Sequence, residues 1–322
     1  MNTPITNDEH DSGAADEAQA AGSSGAHAAL LIQRQTRRLG KLQPDVLADQ
    51  DPEPLHQLRV SLRRLRTVLQ QFAPALVLPD TISDRRIAKV ARHTGLTRDL
   101  DVLQQRLQGS LMPLLPAAEQ KALRPVLKRL KRERRQAFEG LEEALRSAAY
   151  LKLLARLHHW QLQPRFTPLG EQPLRSWLLE WQASASASLF LHGGWYATDP
   201  LDPALHELRK RLKALRYTLE PLEELVGPAL SRWIALLRQA QDHLGELHDL
   251  QVLTEGLFDQ QRPGQPEISL PGLEAEIAQE QEQQWHHWLA LAGTLHSDAA
   301  RQELQATLLE ASRLSIEPAV LP

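Results

Sequence analysis

Apolar residues recur every three or four positions along most of the chain, the period of helices with one buried face, and no segment alternates as a half-buried strand would. Pro and Gly cluster at 49–54, 72–80, 109–116, 163–173, 193–203 and 261–272 and interrupt this pattern. Between the breaks the spacing predicts helices over 25–48, 53–77, 80–109, 116–147, 149–160, 173–192, 203–225, 229–260, 271–293 and 297–313. Asp51 before Pro52 and Asp202 before Pro203 each combine an N-cap side chain with a first-turn proline, which marks two helix starts sharply. Short connections favour antiparallel neighbours, so the expected fold class is all-α, made of antiparallel helical bundles.

The chain also resembles itself. His56, Leu58, Arg59, Leu62, Arg63, Leu65 and Arg66 align with His206, Leu208, Arg209, Leu212, Lys213, Leu215 and Arg216 at an offset of 150. The same offset aligns His93, Gly95, Asp99, Leu100, Val102 and Leu103 with His243, Gly245, Asp249, Leu250, Val252 and Leu253. Two motifs sharing one offset point to an internal duplication, with its joint near 163–172. The expected organisation is an acidic, disordered tail over 1–24, then one domain of two helical repeats, 25–165 and 166–322.

On a helix of about 100° per residue, His56, Arg59, Arg63 and Arg66 share a stripe about 80° wide, beside a second stripe of Leu58, Leu62, Leu65, Leu69 and Phe72. His206, Arg209, Lys213 and Arg216 repeat this geometry. Each helix should pack on leucine and present cations at the edge of the core. A row spans about 15 Å, longer than one phosphate group, so a chain of phosphates fits it better. Lys121, Arg124, Lys128, Lys131 and Arg135 form a further row, and Lys89 shares a face with Arg92 and Arg85, as Arg34, Arg37, Arg38 and Lys41 do with one another. Guanidinium forks bond phosphate oxygens in pairs, ammonium groups add point charge, and a protonated His adds donors that depend on pH. A single arginine row is more often only a solvated face; recurrence in both halves, with His at the same place, separates these rows from that reading.

Charge changes the picture by its layout. The formal net charge is -3, yet Lys121 to Arg135 contains one acid, Glu133, while acids concentrate in the first two dozen residues and in 274–282. The chain has no cysteine, which excludes thiolate chemistry and disulfides and fits a reducing, cytoplasmic setting. No run approaches the roughly 20 apolar residues that span a bilayer, so no membrane partner is expected. Gly95 and Gly245, inside helical patterns, cost about 1 kcal/mol each relative to Ala, and a close helix crossing would explain them. Asp99 and Asp249 would then partner the cations of the first motif. His248–Asp249 has no further ligand at metal spacing, and the neighbours His158–His159 and His286–His287 point apart on a helix, so no metal and no cofactor are expected.

These motifs resemble the CHAD family, the conserved histidine alpha-helical domain: HxLRVxLRRLR from His56, GLTRDLDVL from Gly95, HxLRKxLKxLRY ending at Tyr217, and LGxLHDLxVL in the second half. The resemblance implies a pseudo-symmetric pair of helical bundles with a basic central groove or pore that binds inorganic polyphosphate without catalysis and associates with polyphosphate granules. It would assign phosphate contacts to His56, Arg59, Arg63, Arg66, His206, Arg209, Lys213 and Arg216, with Lys121, Arg124, Lys128, Arg135, Lys89 and Arg92 as further basic candidates. Residues 273–285, paired by the offset with the basic helix from 121, are acidic and rich in Gln, so the binding surface should lean toward the first half. The alternatives are a phosphoanhydride-processing enzyme or its accessory subunit, or a helical scaffold for nucleic acid or protein. No Gly-rich phosphate loop or carboxylate cluster supports the enzyme. Seven Trp, three Tyr and five Phe leave little for base stacking, so nucleic acid is disfavoured.

Overall fold

The computed structural model describes residues 22–258 and 269–313. Its helices are α1 (Ser24–Ala48), α2 (Pro52–Gln71), α3 (Asp84–Gln105), α4 (Ala117–Arg146), α5 (Ala148–Leu162), α6 (Leu178–Phe190), α7 (Pro203–Leu219), the single turn α8 (Glu223–Val226), α9 (Pro228–Phe258), α10 (Pro271–Leu295) and α11 (Asp298–Arg313). Among the described residues there is no strand, only two isolated bridges, Ser23 with Pro173 and Leu76 with Phe166. The all-α expectation holds. Most of the tail expected over 1–24 lies outside the described residues, as do residues 259–268, which take in most of the break at 261–272, and the residues beyond 313 of the expected second repeat.

The expected starts form as their chemistry dictates. Asp51 accepts from the Glu53 N–H at 2.9 Å with Pro52 in the first turn, and Asp202 accepts from the Ala204 N–H at 2.8 Å before Pro203. Ser23, within the segment expected to be tail, is buried and its hydroxyl accepts from the Ala26 N–H at 3.2 Å. The ends depart further from expectation. α2 stops at Gln71, because Pro74 lies in a 3-10 turn and the chain then runs beside the segment after α5, with the Val77 N–H donating to the Arg165 carbonyl at 2.9 Å. α7 stops at Leu219, where Pro221 imposes a 3-10 turn before α8 and Gly227 takes a φ of 90° open to glycine.

The helix periods become packing faces. Leu58, Leu62 and Leu65 of α2 and Leu208, Leu212 and Leu215 of α7 are all buried within one large apolar core. Burying each is worth ~1.5–3 kcal/mol, an upper bound when counted from an extended chain. A smaller core joins Leu107, Leu123 and Leu127 to Leu250, Leu253 and Leu273. Both cores mix residues from either side of 165, so the two halves do not own separate interiors. Glu119 of α4 reinforces the second junction: its buried carboxylate accepts from the Gly272 N–H at 2.9 Å and the Leu273 N–H at 3.0 Å, capping α10 from another helix. Because α2 packs on α1, α3 and α7, its cationic stripe is held at a junction of helices from both halves.

Candidate functional site

A cleft of about 660 Å³ opens between α2, α3 and α7. Arg59, Arg63 and Arg66 of α2, Arg92 and Asp99 of α3, and Lys213 of α7 line it. Its remaining surface is small or apolar, with Ala88, Ala91, Gly95 and Leu96 all from α3. Thus the leucine stripe of α2 anchors the helix and leaves its arginines half-buried at the cleft wall.

Gly95 admits Arg59. A Cβ at Gly95 would stand 2.5 Å from Arg59 Nη1, and one at Gly245 would stand 3.2 Å from Arg209 Nη2. The glycines expected to permit a close helix crossing instead make room for guanidinium groups, and the same contact recurs at the offset of 150. Arg59 Nη2 lies 3.8 Å from Asp99 Oδ1, while the Asp99 side chain is 69% exposed, so a phosphate oxygen could replace it at little cost. Arg66 is held more firmly: its Nε and Nη2 donate to the two carboxylate oxygens of Asp84 at 2.6 and 3.1 Å.

Arg63 lies over the Tyr217 ring at 4.9 Å, and Arg216 is 4.6 Å from the same ring while its Nη2 donates to the Tyr217 hydroxyl at 2.7 Å. Arg63 Nε and Arg209 Nε are buried with no hydrogen-bond partner among the described residues. Neither arginine has a carboxylate within 4.0 Å among the described residues, and the same is true of Arg92 and Lys213. Burial, followed by the charges of Arg63, Arg209, Arg59 and Arg216, pushes Lys213 down to about 7. At neutral pH the side chain therefore holds its proton only part of the time, chiefly because it is buried and further because the neighbouring charges are of its own sign.

The histidines border this cluster. Burial and then Arg98 push His56 below its ordinary value; burial and then Lys210 and Arg209 do the same to His206. The His206 ring lies 4.4 Å from that of His248, which burial, His206 and Arg209 push down to about 4. All three favour the neutral form in the free protein, so the charged histidine donors expected from the sequence need an anion nearby to form. Asp249 is pushed up by burial against the pull of Arg209, consistent with a scaffolding place beside it. Among the described residues no three His, Asp or Glu side chains are grouped as a metal ion requires.

The other rows lie elsewhere. Lys121, Arg124, Lys128 and Arg135 are exposed on α4 and none lines the cleft. Lys89 and Arg92 were expected to act on one face; Arg92 reaches the cleft, whereas Lys89 lines a different cavity. The row on α1 is partly neutralised, Arg34 pairing with Glu224 at 2.7 Å. Arg98, Tyr217 and His248 join the neighbourhood without having been assigned roles by sequence. Arg98 and His248 fall inside the second motif and Tyr217 ends the first, and membership of those motifs was the available signal.

Among the described residues no helix is long and apolar enough to cross a membrane. The CHAD domain profile matches residues 30–258. Two uncharacterized proteins of Mycobacterium tuberculosis, from strains CDC 1551 / Oshkosh and ATCC 25618 / H37Rv, are 31% identical over 174 residues, 52% of this chain and 33% of each relative. The match therefore spans about a third of the length of those relatives. The CHAD domain from the plant Ricinus communis superposes with a TM-score of 0.59 at 23% identity, covering 89% of this chain and 92% of that one. PptA from Streptomyces chartreusis does so with a TM-score of 0.58 at 20% identity, covering 88% and 99%. At these identities the two structures speak for the fold.

Proposed function

This chain belongs to the CHAD domain family, and from that premise we propose that it binds inorganic polyphosphate, without turning it over, in the cleft between α2, α3 and α7. The observation that carries the reading is the convergence of half-buried Arg59, Arg63 and Lys213 with the exposed Arg92 on one cleft, where burial and then the charges of Arg63, Arg209 and Arg59 lower the proton affinity of Lys213. A chain of phosphates supplies closely spaced negative charge along several of these groups at once, and many modest contacts add into one affinity. The lining has one carboxylate and no hydroxyl side chain, which favours holding over chemistry. In the cell such binding would place the protein in the cytoplasm, on polyphosphate granules.

Titration with polyphosphates of defined length tests this. Affinity should rise with chain length and fall with salt, and a variant carrying Arg59→Ala, Arg63→Ala, Arg209→Ala and Lys213→Ala should lose both most of the affinity and much of the salt slope. Orthophosphate binding as tightly as long chains, or a quadruple variant with unchanged affinity, would overturn the proposal. Single-stranded RNA that displaced polyphosphate at equal concentration would redirect it to nucleic acid.

A further inference from the structure

A separate cavity of about 420 Å³ lies between α3, α4 and α5 and shares no lining residue with the cleft. Its size falls in the ~300–1,000 Å³ range of small-molecule sites. Val90, Tyr150 and Leu153 give it an apolar wall, while Arg86, Lys89 and His93 stand along α3. Glu143 of α4 is its one carboxylate, so two permanent cations face one acid and leave a surplus near a single positive charge. Tyr150 is 1% exposed, and its hydroxyl is buried without a hydrogen-bond partner among the described residues. Burial pushes that phenol up, which keeps it a neutral donor at this wall.

The other half shows what closes such a space. His243, aligned with His93, has its Nδ1 2.8 Å from Gln284 Oε1 and its ring 5.3 Å from His287, both on α10. The His286–His287 pair, whose members point apart on the helix, thus supplies one residue to this plug. Beside His93, α4 instead carries Gly140, whose missing Cβ would stand at an ordinary 3.6 Å from His93 Nδ1. Nothing steric demands glycine there, in contrast to Gly95, yet it costs α4 about 1 kcal/mol relative to Ala. What glycine provides is open volume next to an imidazole that has no hydrogen-bond partner among the described residues.

We infer that this cavity binds a small organic anion of single charge, its ring or short chain seated on Val90, Tyr150 and Leu153 and its carboxylate held by Lys89, Arg86 and His93. The inference is independent of polyphosphate binding. A polyanion fits poorly, since Glu143 would oppose its further charges, and a neutral apolar molecule leaves the cations unused.

Benzoate is the probe, titrated into the full chain by NMR chemical shift with saturating long-chain polyphosphate present to occupy the cleft. Saturable binding is expected, at least about 10-fold tighter than for benzyl alcohol or acetate, which each lack one half of the pattern. Gly140→Leu fills the space beside His93 while improving helix propensity, so folding is not at stake, and it should abolish benzoate binding. Lys89→Glu should weaken binding by about 10-fold or more. Absence of saturable binding, benzoate no tighter than acetate, displacement of benzoate by polyphosphate, or full affinity in Gly140→Leu would each overturn the inference.

Discussion

Gly95→Ala adds one methyl group to α3 and separates binding from stability. The new Cβ would lie 2.5 Å from Arg59 Nη1, a distance at which the guanidinium must move. The helix gains about 1 kcal/mol from losing an interior glycine. Against this, an Arg59 held off its preferred rotamer costs ~0.5–1.5 kcal/mol. The 3.8 Å pair with the exposed Asp99 contributes only ~0–1 kcal/mol. Stability should therefore stay within about 1.5 kcal/mol of wild type. Binding responds differently, because a hydrogen bond from a charged donor to phosphate is worth ~1.5–3 kcal/mol, roughly 10-fold to 150-fold in affinity. Arg59 swings away without being lost, so the lower end, about 10-fold, is expected for a polyphosphate of fixed length. Gly245→Ala is the internal control: its Cβ would meet Arg209 Nη2 at 3.2 Å, a few tenths of an ångström too close, and the loss should be under about 3-fold. Titration calorimetry reads the affinities and urea unfolding reads the stabilities. Wild-type affinity in Gly95→Ala, or a larger loss in Gly245→Ala, would refute the reasoning, as would a stability loss beyond about 2 kcal/mol.

Lys213 should make binding proton-linked: it sits at about 7 in the free protein, a bound anion raises it, and so protons are taken up on binding and affinity falls as pH rises above about 7. Calorimetry in buffers of different ionisation enthalpy reads the uptake, which Lys213→Met should reduce, most clearly above pH 7 where the histidines contribute least. For stability the sign reverses, because the unfolded chain keeps this proton up to 10.5 while the folded one has lost it near 7; unfolded protein binds more protons in that window, and this residue's contribution makes stability rise with pH across it. Urea titrations on wild type and Lys213→Met should differ in that slope, and equal slopes would count against the burial described for Lys213. Glu119→Ala should destabilise the protein by ~1–3 kcal/mol by stranding the Gly272 and Leu273 N–H groups, with an unfolding midpoint near wild type contradicting the cap.

Helix identity was legible because the 3.6-residue period is local, and the starts at Pro52 and Pro203 were legible because their caps are local. The ends at Gln71 and Leu219 were harder: the first depends on backbone pairing between residues 77 and 165, far apart in sequence. Periodicity placed Arg59, Arg63 and Arg66 on one face, yet it cannot say where a face points. The row on α4 obeys the same period and turns to solvent, while Arg92 and Lys213, on different helices, meet the α2 row at the cleft. Gly95 and Gly245 announced that something comes close, and only the structure shows that it is a guanidinium.

A chain of net charge -3 presents this cleft because its acids are spent elsewhere. Asp84 grips Arg66, Glu220 holds Arg64 at 3.0 Å, Asp49 and Asp101 clasp Arg134, and Glu246 and Glu280 clasp Arg106. Several of these pairs join segments more than 80 residues apart in sequence, which ties the acids to holding the fold together. Arg63, Arg92, Arg209 and Lys213 receive no such partner among the described residues, and of these Arg63, Arg209 and Lys213 are half-buried, where a Debye length near 10 Å in ordinary salt screens poorly. Local field, and not the sum over the chain, is what an approaching anion meets. Beyond the larger effect of burial, the arginine charges lower the proton affinity of Lys213, so a polyanion in the cleft would relieve repulsion already present in the free protein as well as adding contacts of its own.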